Sequence, residues 1–169
     1  LKSAGSYDAA AETERDILTC GEDGTAQSKL LPYGVYLVRQ LSGWEGYALD
    51  TILHEVNISS DGETVSLAIR NEIFKGSLTI QKVDKDSGQA LPGARFRLLD
   101  SAGNPFTEGT TDESGVLVFE NIPFGDYYLE ELEAPDGYKA DTTPYVFSVT
   151  ADGQEIEIRR ENTRIPGSV

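Results

Sequence analysis

Short alternations of apolar and polar residues, rather than helical periods, dominate this chain. "SLTIQKV" (77–83), "ARFRLL" (94–99), "VLVFENI" (116–122), "DYYLEEL" (126–132), "YVFSVT" (145–150) and "QEIEIRR" (154–160) are short and rich in β-branched or aromatic residues. Between them lie "DKDSG", "SAGNP", "DESG", "APDGY" and "ADGQ", which supply the residues that tight turns require. Strands at this spacing predict an all-β sandwich. One position breaks the pattern. Leu78, Ile80 and Lys82 fall on one face of the first of these strands, so a lysine stands where a third core residue is due. Helical propensity is confined to "AAAETERDIL" (9–18), which predicts a short helix or an irregular loop there.

The pattern occurs twice. "GTAQSKLLPYGVYLVRQLSGWEGY" (24–47) matches "GVLVFENIPFGDYYLEELEAPDGY" (115–138) at Gly24, Pro32, Gly34, Tyr36, Gly46 and Tyr47 with a constant shift of 91 positions. The same shift relates Asp61-Gly62 to Asp152-Gly153, Asn71 to Asn162, and "GSL" at 76–78 to "GSV" at 167–169. The chain therefore reads as an incomplete repeat over 1–74, a complete repeat over 75–166 and the start of a further repeat at 167–169. The first repeat has no counterpart of the strand that opens the second. The link "IRNEIFKGSL" is short and not rich in Gly and Ser, which predicts a stiff joint.

Composition narrows the function classes. The 169 residues carry a net charge of −15, which weighs against nucleic acid or an anionic membrane surface as partner. No apolar run approaches the roughly 20 residues of a membrane-spanning helix. A single cysteine, Cys20, excludes an intrachain disulfide framework, and with a single histidine, His54, it excludes the usual zinc constellations. No metal or other cofactor is expected. His54 reads as an ordinary strand or loop residue, since no nucleophile signature surrounds it. "DKDSG" (84–88) has the Asp-x-Asp-x-Gly of a calcium loop but no distal Glu at loop spacing, so a hairpin turn is expected.

"GSLTIQKVDKDSGQALPGARFRLLDSAG", "GDYYLEELEAPDGY" and "IEIRRENTRIPG" together resemble the collagen-adhesin B-type (Cna-B, SpaA-like) domains of Gram-positive surface adhesins and pilins. The resemblance spans all of 75–166 and the last three-quarters of the first repeat. It implies two tandem transthyretin-like (Ig-like) β-sandwich repeats, the first lacking its opening strand. It also implies an isopeptide crosslink between a first-strand lysine and a last-strand asparagine, promoted by a buried acid. By position these are Lys82, Asn162 and Glu131.

The chemistry suits those residue types. An amine attacks an amide only when neutral, and burial disfavours the ammonium. The same apolar setting would keep a carboxyl protonated, so that Glu131 could polarise the Asn162 carbonyl and carry the lysine proton to the departing ammonia. The reaction would run once per molecule, so the chain is not expected to be an enzyme. Parity supports Lys82, and it supports Glu131 through Tyr127 and Leu129. In the last strand Arg160 intervenes between Ile158 and Asn162, which predicts a bulge or a rim position for the arginine. Lys85, Lys139 and Asn121, near turns, are poorer candidates.

In the first repeat the acid position becomes Gln40 and the acceptor position Asn71, with no lysine counterpart. Glutamine has no carboxylic proton to donate, so these equivalent positions are expected to be inactive. Asn71 follows Val65, Leu67 and Ile69 in phase, which predicts a strand there. Without its opening strand the first repeat would expose a sheet edge, and strand donation from a neighbouring chain is one way to complete it. A Cys20–Gln40 thioester is the sharper reading of that pair. A plain strand residue ahead of the "GEDG" turn is the simpler one.

The expected function is that of a structural stalk repeat of a cell-wall surface adhesin or pilin, outside the cell, with neighbouring repeats of the same chain as partners. The alternative is a ligand-binding module for a host protein or glycan. Tyr33, Tyr36, Trp44, Tyr47, Tyr127, Tyr128 and Tyr138 could furnish its surface, yet most recur at repeat-equivalent positions, as packing residues do.

Overall fold

We describe residues 10–11 and 15–167 of the chain from a computed structural model. They are all-β, and the chain divides into two compact units. The first comprises 1–43 and 49–71, and the second comprises 44–48 and 72–169.

The second unit holds the larger core. Its strands are β3 (Lys75–Asp84), β4 (Arg95–Asp100), β5 (Pro105–Thr110), β6 (Val116–Pro123), β7 (Gly125–Glu133), β8 (Tyr138–Lys139), β9 (Tyr145–Val149) and β10 (Glu155–Arg164). They form two four-stranded sheets, ordered β6-β3-β10-β8 and β5-β4-β7-β9. Alternation along each strand sends Leu78, Ile80, Phe96, Leu98, Tyr127, Leu129, Phe147 and Val149 between the sheets, where all are buried. The opening and closing strands, β3 and β10, are parallel neighbours paired from Ser77 with Glu155 to Asp84 with Asn162. Parallel neighbours need a long connection between them, and here the rest of the domain is that connection.

The register of β10 is unbroken from Glu155 to Asn162, so the bulge expected at Arg160 does not form. Arg160 stays in phase with Ile158 and is half-buried. It meets the cost of that position by pairing with Asp141 across 2.7 Å and donating to the Thr143 carbonyl across 2.8 Å.

In the first unit, β1 (Gly34–Val38) pairs antiparallel with β2 (His54–Ile58). Tyr36 donates its hydroxyl to the Pro32 carbonyl at 2.7 Å, as Tyr127 does to Pro123 at 2.9 Å, so the repeat relation extends to individual hydrogen bonds. The strand expected to lead into Asn71 is not observed: Val65 and Leu67 are exposed and residues 63–72 form no strand. In the second unit the equivalent segment, β10, takes its ladder from β3. Among the described residues no strand lies beside 65–71, and a segment without a neighbouring strand has no ladder to hold it extended. Of the stretch expected to be helix or loop, residues 9 and 12–14 lie outside the described residues, and 15–18 is neither helix nor strand. Residues 168–169 likewise lie outside.

Candidate functional site

Lys82 is on β3, Glu131 on β7 and Asn162 on β10, so three strands from both sheets aim polar side chains into one end of the core. Local structure fixes the lysine first. Its backbone N–H donates to the Gly115 carbonyl at 2.8 Å and its own carbonyl accepts from Leu91 at 2.9 Å. Gly115 must be glycine for this: φ is +73°, and a Cβ would stand 2.7 Å from the Lys82 carbonyl oxygen.

The side chains converge on one oxygen. Lys82 Nζ lies 3.0 Å from Glu131 Oε2, and Asn162 Nδ2 donates to the same oxygen at 3.0 Å. The backbone N–H of Asp141 adds a third donor at 2.9 Å. Asn162 Nδ2 also donates to the Lys139 carbonyl at 2.9 Å. The Lys82 and Glu131 side chains are wholly screened from solvent, and Asn162 is buried. The Phe96 ring faces Lys82 Nζ, its centroid 5.5 Å away. Burial pushes the lysine pKa down, and the hydrogen bond and charge of Glu131 pull it back. Two buried atoms of this site have no hydrogen-bond partner, Glu131 Oε1 and Asn162 Oδ1. Buried polar atoms are seldom left so, and one proton on Oε1 would give the carboxyl a donor for the amide oxygen.

The three residues singled out from the sequence are thus brought together. The rejected candidates are not: Lys85 and Lys139 are exposed, and Lys139 contributes only its backbone carbonyl.

In the first unit Gln40 and Asn71 also meet. Gln40 Nε2 donates to Asn71 Oδ1 at 3.0 Å, and Asn71 Nδ2 donates to Gln40 Oε1 at 2.6 Å. The Asp50 N–H donates to Gln40 Oε1 at 2.8 Å. The contact between the acid position and the asparagine is retained, with an amide in place of the acid and no amine beside it. Cys20 is exposed with a free thiol, and the Gln40 side chain is committed to Asn71 and Asp50. His54 opens β2 and pairs with Asp50 at 2.6 Å.

One buried residue had no role in the sequence reading. Asp84, the first residue of the "DKDSG" turn, accepts from the backbone N–H groups of Asp86 and Ser87, from the Tyr138 hydroxyl and from Arg164 Nε. It fastens β3 to β8 and β10 at the same end as the lysine. The turn itself is as expected.

A family model described as the SpaA prealbumin-like fold domain matches residues 5–73 and again 76–164. Among relatives, a collagen adhesin of Staphylococcus aureus is 33% identical over 102 residues, 57% of this chain and 8% of that protein. A trypsin-resistant surface T6 protein of Streptococcus pyogenes serotype M6 is 30% identical over 73 residues, 43% of this chain and 14% of that protein. Among solved structures, the Bacillus anthracis TIE protein superposes with a TM-score of 0.83 at 32% identity, over 92% of this chain and 30% of that one. The chain therefore spans less than a third of each of these proteins. With both repeats matched over nearly their whole length, this chain belongs to the SpaA prealbumin-like fold domain family.

Proposed function

We propose that the chain is a stalk segment of a surface adhesin or pilin, displayed outside a Gram-positive cell, whose second repeat seals itself with an amide between Lys82 and Asn162. The observation that carries this reading is the convergence of a buried amine and a buried carboxamide on one buried carboxyl, each 3.0 Å from the same oxygen. A stability role alone would favour apolar residues at these positions, because burying a charge pair rarely stabilises more than packing does.

The sequence of events follows from the contacts. Passing one proton from Lys82 to the Glu131 carboxyl, where Oε1 carries it, converts an ion pair into a neutral amine and a carboxylic acid. The acid donates to Asn162 Oδ1 and polarises its carbonyl. Lys82 Nζ attacks Asn162 Cγ, forming one C–N bond. Glu131 relays the second amine proton to Nδ2, the C–Nδ2 bond breaks and ammonia leaves. Glu131 keeps the first proton and ends as the neutral acid. Amine plus carboxamide becomes secondary amide plus ammonia, with no cofactor and no turnover. Fixing the groups in contact supplies much of the acceleration.

The relatives' names, a collagen adhesin and a trypsin-resistant surface protein, support surface display. The first unit, with Gln40 opposite Asn71, acts as an unsealed spacer. A strand from a neighbouring subunit would find a place beside residues 65–71.

Intact mass tests the reading. The chain should weigh one ammonia less than its sequence, and Lys82→Ala, Asn162→Ala and Glu131→Gln should each weigh the full amount. Glu131→Gln gives the second site the acid-position residue of the first. A wild-type chain at full sequence mass would refute the proposal.

A further inference from the structure

The third donor to Glu131 Oε2 belongs to none of the reacting groups. It is the backbone N–H of Asp141, in the segment 140–144, which joins no strand ladder. The Asp141 side chain holds that segment. Its Oδ1 accepts the Thr143 N–H at 3.0 Å, closing a local turn, and its Oδ2 accepts Arg160 Nη2 at 2.7 Å. The same Nη2 also reaches the Thr143 carbonyl at 2.8 Å. Arg160 lies on β10 two residues before Asn162, so the strand that carries the acceptor also clamps the loop that touches the acid.

The same device recurs 91 positions earlier. The Asp50 N–H donates to Gln40 Oε1 at 2.8 Å, Asp50 Oδ1 accepts the Ile52 N–H at 2.8 Å, and Asp50 Oδ2 meets His54 Nε2 at 2.6 Å. An imidazole replaces the guanidinium, and a glutamine replaces the acid. In both units an aspartate ten residues beyond the acid position presents its own amide to the side chain there.

Resting on the self-sealing reaction proposed above, we infer that Asp141 and Arg160 are positioning residues for it: together they hold the 141 amide against Glu131 Oε2. With three donors on Oε2, that oxygen has no acceptor capacity left. The carboxyl proton is thereby left to Oε1, the oxygen that can serve the Asn162 carbonyl. Neither residue touches a reacting atom with its side chain.

The test follows the loss of ammonia by intact mass over time in Asp141→Ala, Arg160→Ala and Asp141→Asn beside the wild-type chain. Both alanine variants should seal at least tenfold more slowly than wild type. Asp141→Asn keeps an acceptor for the Thr143 amide and should recover most of the lost rate. The same substitutions placed in Lys82→Ala, which cannot seal, report any purely structural effect through the melting temperature. They should leave that chain folded at the assay temperature. An Asp141→Ala chain that seals at the wild-type rate overturns the inference. So does slowing accompanied by unfolding of the Lys82→Ala counterpart, or an Asp141→Asn chain as slow as the alanine variant. If the wild-type chain itself never loses ammonia, it is the self-sealing reading that fails, and the variants' rates are not what decides it.

Discussion

Asp84 closes the turn after β3 and at the same time binds two distant elements. Hydrogen bonds from the Ser87 amide, then from Arg164 and Tyr138, hold its carboxyl far below the usual carboxylate range. A depressed folded-state pKa means that the stabilisation is complete above the unfolded value, about pH 4, and is lost as the pH falls further. Asp84→Asn should therefore melt below the wild-type chain at neutral pH. The gap should persist down to about pH 4 and narrow in stronger acid; thermal denaturation across that range checks it, and a gap unchanged at low pH would contradict the assignment. The sequence reading placed Lys82, Glu131 and Asn162 through the family resemblance, and strand parity supported the first two. It passed over Asp84 because the motif around it is a turn and its long-range partners leave no local trace. Asp141 was missed for a different reason: it acts through a backbone N–H, which no side-chain pattern records. The one available signal was the recurrence of an aspartate at positions 50 and 141.

Strands with a strong alternation were legible, and those without one were not. β5 begins at Pro105 and reads "PFTEGT", and β8 is only two residues long; both exist because a neighbour offers them a ladder. The converse case is 65–71. Its alternation matches that of β10, yet it forms no strand, because extended structure depends on a paired edge as much as on side chains. Hydrogen exchange should separate the two segments. Amides of 156–162 should be protected to near the global stability of the second unit, whereas those of 65–71 should exchange with little protection. Equal protection of both would show that something pairs with the first-unit segment in solution.

For the chain as a whole, joining Lys82 to Asn162 would close a loop containing most of the second repeat. By the chain-entropy estimate used for disulfides, such a closure stabilises by about 4–5 kcal/mol, so Lys82→Ala should unfold at markedly lower denaturant concentration. The parallel pairing of β3 with β10 has a mechanical consequence as well. Parallel neighbours place the entry of one strand and the exit of the other at opposite ends of the sheet. A pull on the chain would enter at Lys75, cross at position 82 to position 162 and leave at Arg164, so residues 83–161 would never come under load. Fully drawn out, that stretch would measure about 270 Å. Single-molecule stretching should find this length absent from the wild-type trace and released in Lys82→Ala. A tether built of units sealed in this way would behave as a rope whose slack has been stitched shut, its reach set when it matures and not by how hard it is tugged.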